Sequence, residues 1–286
     1  LNQELKQDLK IQVILLDDAS TDNSTQIAMN YAERYQNVQY KRHKQNLGLS
    51  EARNTGLKYC LGEYVFFLDG DDYVSVSCLD QLYAKAIETK AELVVGGFAQ
   101  VANEKIKYVR KFDDDLDHSE YFDRVLSSRL PNVAWGQLIK KSILDNAGFK
   151  WVPGVLHEDV YTSLELINLA SKIEFVNGHL VFWRIREHSI GQTISKRTIH
   201  DYLGAFKHRQ KYMYRMNLLP EKIELFEEGL NKCLANILTR ISQAKGKKVQ
   251  LTMYLFFLII KLFNFRSLML IPVSRFRLYF KNTAKN

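Results

Sequence analysis

The sequence predicts an α/β fold in which a mostly parallel sheet is flanked by helices and followed by a helical C-terminal extension. Over the first 100 residues, apolar segments of strand length alternate with helical segments, at spacings that suit right-handed crossovers between parallel strands. The length of 286 residues is enough to bury a large core. The hydrophobic fraction of 46% and the four prolines argue against extensive disorder.

The elements of the alternating region are defined by local patterns. The first predicted helix places Ile27, Tyr31 and Tyr35 on one face, at i, i+4 and i+8, and Gly62 marks the end of the second helix. The predicted strands cover 11–16, 38–40, 64–68 and 93–95, and the predicted helices cover 24–35, 50–60 and 77–89.

The alternation ends after residue 100. Helices are predicted at 119–128 and 158–169, and residues 198–243 are mostly helical with a break at Pro220. Residues 173–185 are predicted to form a hairpin around Asn177-Gly178, which is a strong two-residue turn signal. The sequence therefore predicts an α/β domain at residues 1–200 and a helical extension at residues 201–286.

The excess positive charge lies at the C-terminal end of the chain. The formal net charge is +8, and residues 229–286 contain eleven Lys or Arg and no Asp or Glu. Residues 251–263 are nearly all apolar, but this run is shorter than the about 20 residues that a membrane-spanning helix needs. A buried core helix is one interpretation. The mixture of apolar and basic residues favours a second one, in which residues 249–286 bind an anionic membrane surface.

The basic residues of this region give little support to a nucleic-acid partner, because they are interleaved with a strongly apolar run. Cys60, Cys78 and Cys233 fit neither a disulfide framework nor a zinc site, which favours a reducing compartment. We therefore expect a cytoplasmic protein that is peripheral on the inner face of the cell membrane.

Two predicted strands end in acidic residues. Asp17 and Asp18 follow the first strand, and Asp69, Asp71 and Asp72 follow the strand at 64–68. Ligands bind at the carboxyl ends of strands in open α/β sheets, so we expect both groups to face one crevice. Helix caps or a solvated turn are the simpler interpretation. A divalent cation bound by carboxylates is the alternative.

A third acidic group, His157-Glu158-Asp159, comes directly before an apolar helical segment. Acidic residues at a helix start are also explained by the helix dipole alone. The occurrence of all three groups in this order is harder to explain in that way.

Six motifs resemble, in sequence and order, those of the family 2 inverting glycosyltransferases, which have a GT-A fold with a Rossmann-like sheet. The resemblance covers roughly residues 1–200, and the combined pattern is more specific than any single motif. The motifs are DDASTD at 17–22, NLGLSEARNTGL at 46–57, YVFFLDGDD at 64–72, VAWGQLIKKSIL at 133–144, LHEDVYTS at 156–163 and WRIREHSIGQTIS at 183–195.

The resemblance implies a role for each acidic group. Asp18 would bind the base of a nucleotide, usually uridine. Asp69 and Asp71 would hold Mg²⁺ or Mn²⁺ on the diphosphate of a nucleotide-sugar, with Asp71 as the direct ligand. Asp159 would be the catalytic base. Arg53 would lie near the diphosphate or brace Asp69, with a surface ion pair as the simpler alternative.

The resemblance also implies that the basic loop with Arg184, Arg186 and His188 lies near the diphosphate. Arg186 is accordingly expected to bind the nucleotide, and His188 to join the metal site. The implied reaction is sugar transfer with inversion from a nucleotide-sugar, usually a UDP-sugar, to a hydroxyl of a glycan or lipid-linked glycan. Such a reaction would serve the synthesis of a cell-envelope or extracellular polysaccharide.

The family begins with an apolar strand and a Pro-x-Tyr-Asn-like turn that have no counterpart in this sequence. We therefore expect that the chain lacks about 30 N-terminal residues with the first strand of the sheet. We also expect this chain to be weakly active or inactive. Two alternatives remain: a haloacid-dehalogenase-type phosphatase with Asp69 as its nucleophile, and an inactive membrane-associated scaffold on the same fold.

Overall fold

The computed structural model describes residues 2–6, 9–186, 194–243 and 248–263. The chain divides into two compact units. The first consists of Leu1–His118 and Val133–Arg186, and the second of Ser119–Asn132 and Glu187–Asn286. Residues 119–132 thus group with the C-terminal helices, an association that the order of the sequence does not indicate.

The described residues form eight strands and nine helices. The strands are β1 (Val13–Asp17), β2 (Val38–Arg42), β3 (Tyr64–Phe66), β4 (Tyr73–Val74), β5 (Leu93–Ala102), β6 (Lys105–Arg110), β7 (Gln137–Lys140) and β8 (Ile173–Arg184). The helices are α1 (Ser24–Arg34), α2 (Leu49–Tyr59), α3 (Cys78–Thr89), α4 (His118–Leu126), α5 (Lys141–Ala147), α6 (Glu158–Leu169), α7 (Lys196–Arg215), α8 (Leu219–Gln243) and α9 (Lys248–Phe263).

The strands of the first unit form two sheets. One contains β1 and β2, which pair in parallel. The other has the order β3-β7-β5-β8-β4, with β6 paired to β5. In the larger sheet β5 and β8 are parallel, and the remaining pairings are antiparallel. The predicted α/β class is confirmed. The sheet is less parallel than expected, because β4, β6 and β7, which the sequence did not predict, pair in antiparallel orientation.

The hairpin predicted around Asn177-Gly178 is wrong. Residues 173–184 form one strand that runs alongside β5 with an irregular register. The Asn177 side chain donates to the Phe112 carbonyl at 3.0 Å and accepts from the Phe112 amide at 2.7 Å. A Cβ at Gly97 would lie 2.6 Å from the Gly178 carbonyl oxygen. Asn177 and Gly178 therefore belong to an irregular stretch, residues 177–180, that lies opposite Gly97 with a close backbone approach instead of forming a turn.

The main apolar core of the first unit lies where α3 packs against β5 and β8. Aromatic rings fill its centre, with the centroids of Phe98 and Trp135 at 5.1 Å and those of Trp135 and Trp183 at 5.8 Å. By contrast, the apolar face of α1 is open: Ile27 and Tyr31 are 56% and 45% exposed. The i, i+4 spacing located the helix correctly but not its packing.

The second unit is a helical assembly built around α7, α8 and α9. α8 approaches the end of α4 closely, since a Cβ at Gly229 would lie 2.2 Å from the Leu126 carbonyl oxygen. The described part of the apolar run fits the core-helix interpretation, because α9 packs against α7 and α8. Its buried apolar residues are Leu251, Leu255, Leu258 and Ile259.

The membrane interpretation of residues 249–286 is therefore limited for α9, because Leu251, Leu255, Leu258 and Ile259 are buried inside the unit. Residues 264–286 lie outside the described residues. Within the described part of the chain, no helix has both the length and the hydropathy needed to cross a membrane.

Candidate functional site

The first acidic group contains one aspartate that stabilises the fold. Asp17, at the end of β1, accepts hydrogen bonds from the Ser20 amide at 2.7 Å, the Thr25 hydroxyl at 2.6 Å and the Tyr40 hydroxyl at 2.8 Å. Desolvation alone would raise the pKa of Asp17, but these hydrogen bonds outweigh it and lower the pKa well below its usual range. Asp17 thus ties β1 to β2 and to the start of α1.

The neighbouring Asp18 is held at the start of α2. Its Oδ1 accepts from the Leu47 amide at 2.8 Å, and its Oδ2 accepts from the Gly48 amide at 2.7 Å. His43 Nδ1 lies 2.7 Å from Oδ1, and His43 Nε2 lies 2.9 Å from the Thr55 hydroxyl. Partial burial alone would raise the pKa of Asp18, but these contacts outweigh it and lower the pKa. An ionised carboxylate is therefore fixed beside the N-terminus of α2.

The second acidic group is joined to the third by Arg53 on α2. Arg53 Nη2 donates to Asp69 Oδ1 at 2.7 Å, and Nη1 donates to Glu158 Oε1. Arg53 is only 6% exposed, and its guanidinium lies over the Trp151 ring at 5.2 Å from the centroid. Burial would lower the pKa of Arg53, but the two carboxylates raise it. Arg53 thus occupies the position expected of a residue that braces Asp69, and it is not a surface ion pair.

The other acids after β3 contact the basic segment after β8. Asp71 accepts a hydrogen bond from the Arg186 side chain, and its carbonyl accepts one from the Arg184 side chain. Asp72 accepts from the Arg184 amide at 2.8 Å. Burial raises the pKa of Asp72 to about 6 against that hydrogen bond, with help from the charges of Asp71 and Asp69. The structure therefore brings Arg186 to Asp71, one of the predicted metal ligands.

Asp159 lies in the first turn of α6. The turn before it is tight, because His157 has a φ of 61°. The Val160 amide donates to Asp159 Oδ1 at 2.8 Å. Desolvation and the charge of Glu158 raise the pKa of Asp159 well above its usual value, whereas Arg53 opposes the rise. A carboxylate with a raised pKa is a stronger base than an ordinary aspartate.

The acids after β3 are suited to a cation that takes few protein ligands. Among the described residues, no group of three or more His, Cys, Asp or Glu is arranged to hold a metal ion. Asp69 and Asp71 each use one oxygen for an arginine, and no hydrogen bond from the described chain occupies the other. Mg²⁺ commonly uses one or two carboxylates with water and phosphate oxygens, so this pair fits such an ion. His188 lies outside the described residues.

Three consecutive residues of α2 connect all three acidic groups. Arg53 reaches the second and third groups, and Thr55 reaches the first through His43. Between them, Asn54 donates to the Trp151 carbonyl at 2.9 Å and accepts from the Trp151 amide at 2.8 Å. The motif at 46–57 indicated the importance of α2. The roles of Asn54, His43 and Trp151 were missed because their partners are distant in sequence or carry no signature of their own.

Comparisons with known proteins point to one family. The model of glycosyl transferase family 2 matches residues 1–148. Glycosyltransferase GlyA of Streptococcus pneumoniae serotype 4 is 28% identical over 238 residues, which cover 79% of this chain and 34% of that protein. Poly(ribitol-phosphate) beta-N-acetylglucosaminyltransferase TarP of Staphylococcus aureus is 28% identical over 220 residues, covering 75% of this chain and 66% of that protein. The chain thus spans about a third of the length of GlyA.

A solved structure supports the fold. The crystal structure of S. aureus TarS 1-349 in complex with UDP-GlcNAc aligns with a TM-score of 0.66 at 18% identity, covering 90% of this chain and 74% of that one. This likeness confirms the GT-A fold expected from the motifs. A family match over just over half of the chain also removes the phosphatase interpretation of Asp69. The chain belongs to glycosyl transferase family 2.

Proposed function

We propose that this chain transfers a sugar from a UDP-sugar to a hydroxyl of a glycan or lipid-linked glycan, with inversion at the anomeric carbon. The observation that carries this proposal is the pair of hydrogen bonds from Arg53 to Asp69 and Glu158. Through the buried guanidinium of Arg53, the Asp69 carboxylate proposed for the donor site is connected to Glu158. Glu158 lies in the helix turn that bears Asp159, the proposed base.

Three groups of the chain would hold the donor. Asp18 would accept a hydrogen bond from the nucleotide base at the start of α2. Asp71, with Asp69, would hold Mg²⁺ or Mn²⁺, which when bound neutralises charge on the leaving diphosphate. Arg186 contacts the Asp71 carboxylate, so its guanidinium is within reach of a diphosphate bound there and would add to the neutralisation.

Asp159 would take the proton of the acceptor hydroxyl as that hydroxyl attacks. A base is most effective when its pKa approaches the working pH, and burial with the charge of Glu158 raises the pKa of Asp159 in that direction. Because one base and one displacement suffice, the anomeric configuration would invert.

UDP binding tests the donor site. Isothermal titration of UDP should show binding that requires Mn²⁺, and Asp71→Ala should weaken it at least about tenfold because the direct metal ligand is removed. Asp145→Ala is the matched control, since this exposed carboxylate of α5 pairs with Lys141 of the same helix. Binding of equal strength with and without Mn²⁺ would refute the metal, and no binding in either condition would refute the donor.

We further propose that the acceptor belongs to a cell-envelope or extracellular polysaccharide, and that the chain works at the inner face of the membrane. The name of TarP, with poly(ribitol-phosphate) as its acceptor, supports the first part. The basic and apolar composition of residues 249–286 supports the second.

Membrane binding is tested with a chain that ends at residue 263. This deletion keeps α9, whose buried leucines belong to the second unit, and removes five Lys or Arg among apolar residues. We expect flotation with anionic liposomes for the 286-residue chain and its loss in the shortened one. Equal flotation of both chains would show that residues 264–286 are not the membrane contact.

A further inference from the structure

We infer that Glu158 is a positioning residue for the proposed reaction: it holds Arg53 between the donor carboxylate Asp69 and the base Asp159. The inference rests on the proposed function, which assigns Asp69 to the donor site and Asp159 to the base. The contacts that carry it belong to the chain itself.

The three charged groups form a chain of ion pairs with little access to water. The side chains of Arg53 and Glu158 are 6% and 9% exposed, and that of Asp69 is 26% exposed. Each end of the guanidinium is used by a different carboxylate. Because guanidinium is planar and its donors have fixed directions, a shift of Glu158 would be transmitted to Asp69.

The surroundings keep the guanidinium in this position. Trp151 covers it at 5.2 Å from the ring centroid, and Phe67 and Phe149 pack edge-on against Trp151 at 5.6 and 5.3 Å. The backbone of Trp151 is fixed in turn by the two hydrogen bonds with Asn54. A side chain fixed by packing and hydrogen bonds positions its partners more accurately than a mobile one.

Glu158 also acts on Asp159 through its charge. The charged groups around Asp159 are Glu158 on the same helix, Arg53 from α2 and Asp69 after β3, with His157 directly before the helix. The two carboxylates raise the pKa of Asp159, and Arg53 lowers it. Glu158 thus raises the pKa of Asp159 through its charge. It does so without a contact to the substrate, since its carboxylate is bonded to Arg53.

A purely structural ion pair is the competing explanation, and the pH dependence separates the two. If Glu158 only stabilised the fold, its loss would reduce transfer equally at every pH. If it sets the charge around Asp159, Glu158→Gln should lower the pKa of Asp159 and Arg53→Gln should raise it, each by roughly one pH unit. The two shifts have opposite signs.

The measurement is an NMR titration of the Asp159 carboxyl carbon in metal-free chain labelled with ¹³C-aspartate, assigned with Asp159→Asn. The acid limb of kcat should move in parallel, toward lower pH in Glu158→Gln. Glu92→Gln is the control, because Glu92 bonds to Ser171 and not to this site. Its titration of Asp159 should match that of the unsubstituted chain.

Glu158→Asp keeps the charge but shortens the reach to Arg53. This variant replaces Arg53→Gln in the test if Arg53→Gln does not fold. We expect a nearly unchanged Asp159 midpoint with UDP–Mn²⁺ binding weakened about tenfold, because Asp69 loses its position. Unmoved midpoints, or shifts of the same sign in Glu158→Gln and Arg53→Gln, would overturn the inference. Absence of UDP binding by the unsubstituted chain, with and without Mn²⁺, would instead overturn the proposed function, and the NMR midpoints would still decide the role of Glu158.

Discussion

Asp159→Asn should lower the rate of sugar transfer by a factor of about 10² to 10⁴, the contribution typical of a positioned general base. Asparagine keeps the shape of the side chain but cannot take the proton of the attacking hydroxyl. The binding of UDP with Mn²⁺ should stay within about twofold, because Arg53 and Asp69 keep their hydrogen bond when Asp159 is replaced. Initial rates with a UDP-sugar, together with titration of UDP, measure both quantities.

Asp145→Asn provides the comparison for this variant, since it makes the same chemical change on an exposed turn of α5. Its transfer rate should equal that of the unsubstituted chain. A full rate in Asp159→Asn would refute the assignment of the base.

The helices that the sequence predicted well are those defined by local signals. α1, α2, α3 and α6 begin and end within about two residues of their predicted bounds, because helical periodicity acts over one or two turns. Glycine did not set the end of α2: the helix ends at Tyr59 with Cys60 as an extended C-cap, before Gly62. The prediction of a hairpin at Asn177 was wrong because it relied on a local signal alone. A local turn signal was overridden by hydrogen bonds to Phe112, which lies 65 positions away.

In the candidate site, too, local features were predicted from the sequence and contacts between distant residues were not. The sequence identified the acids at the ends of β1 and β3 and at the start of α6, since their types and spacing are local. It could not distinguish Asp17, which is bonded within the fold, from its neighbour Asp18. Nor could it pair Arg53 with Glu158, because the two residues are 105 positions apart and only the tertiary fold brings them together.

The apolar run at 251–263 illustrates a limit of composition. Burial in a helical core and binding at a membrane interface both require apolar residues on one face. The packing of α9 against α7 and α8 supports the core interpretation for its buried side chains, and no pattern within the run itself could have indicated it.

Arg53→Met should destabilise the chain by about 3–5 kcal/mol, the cost expected when one partner of a buried ion pair is removed. Methionine has a similar length and fills the space against Trp151, so the loss reports mainly the charges left on Asp69 and Glu158. Urea unfolding followed by circular dichroism measures the free energy of unfolding. Arg129→Met, which removes a 55% exposed partner of Glu228, should leave the free energy of unfolding nearly unchanged.

The charge explanation is tested by neutralising the partners as well. Adding Asp69→Asn and Glu158→Gln to Arg53→Met should restore most of the lost free energy of unfolding, because no unpaired charge then remains at the site. The triple variant should bind UDP with Mn²⁺ at least about tenfold more weakly than the unsubstituted chain, since the Asp69 carboxylate is gone. If it were as unstable as Arg53→Met alone, the loss would come from packing against Trp151. The ion pairs that connect the three acidic groups would then not be what holds them together.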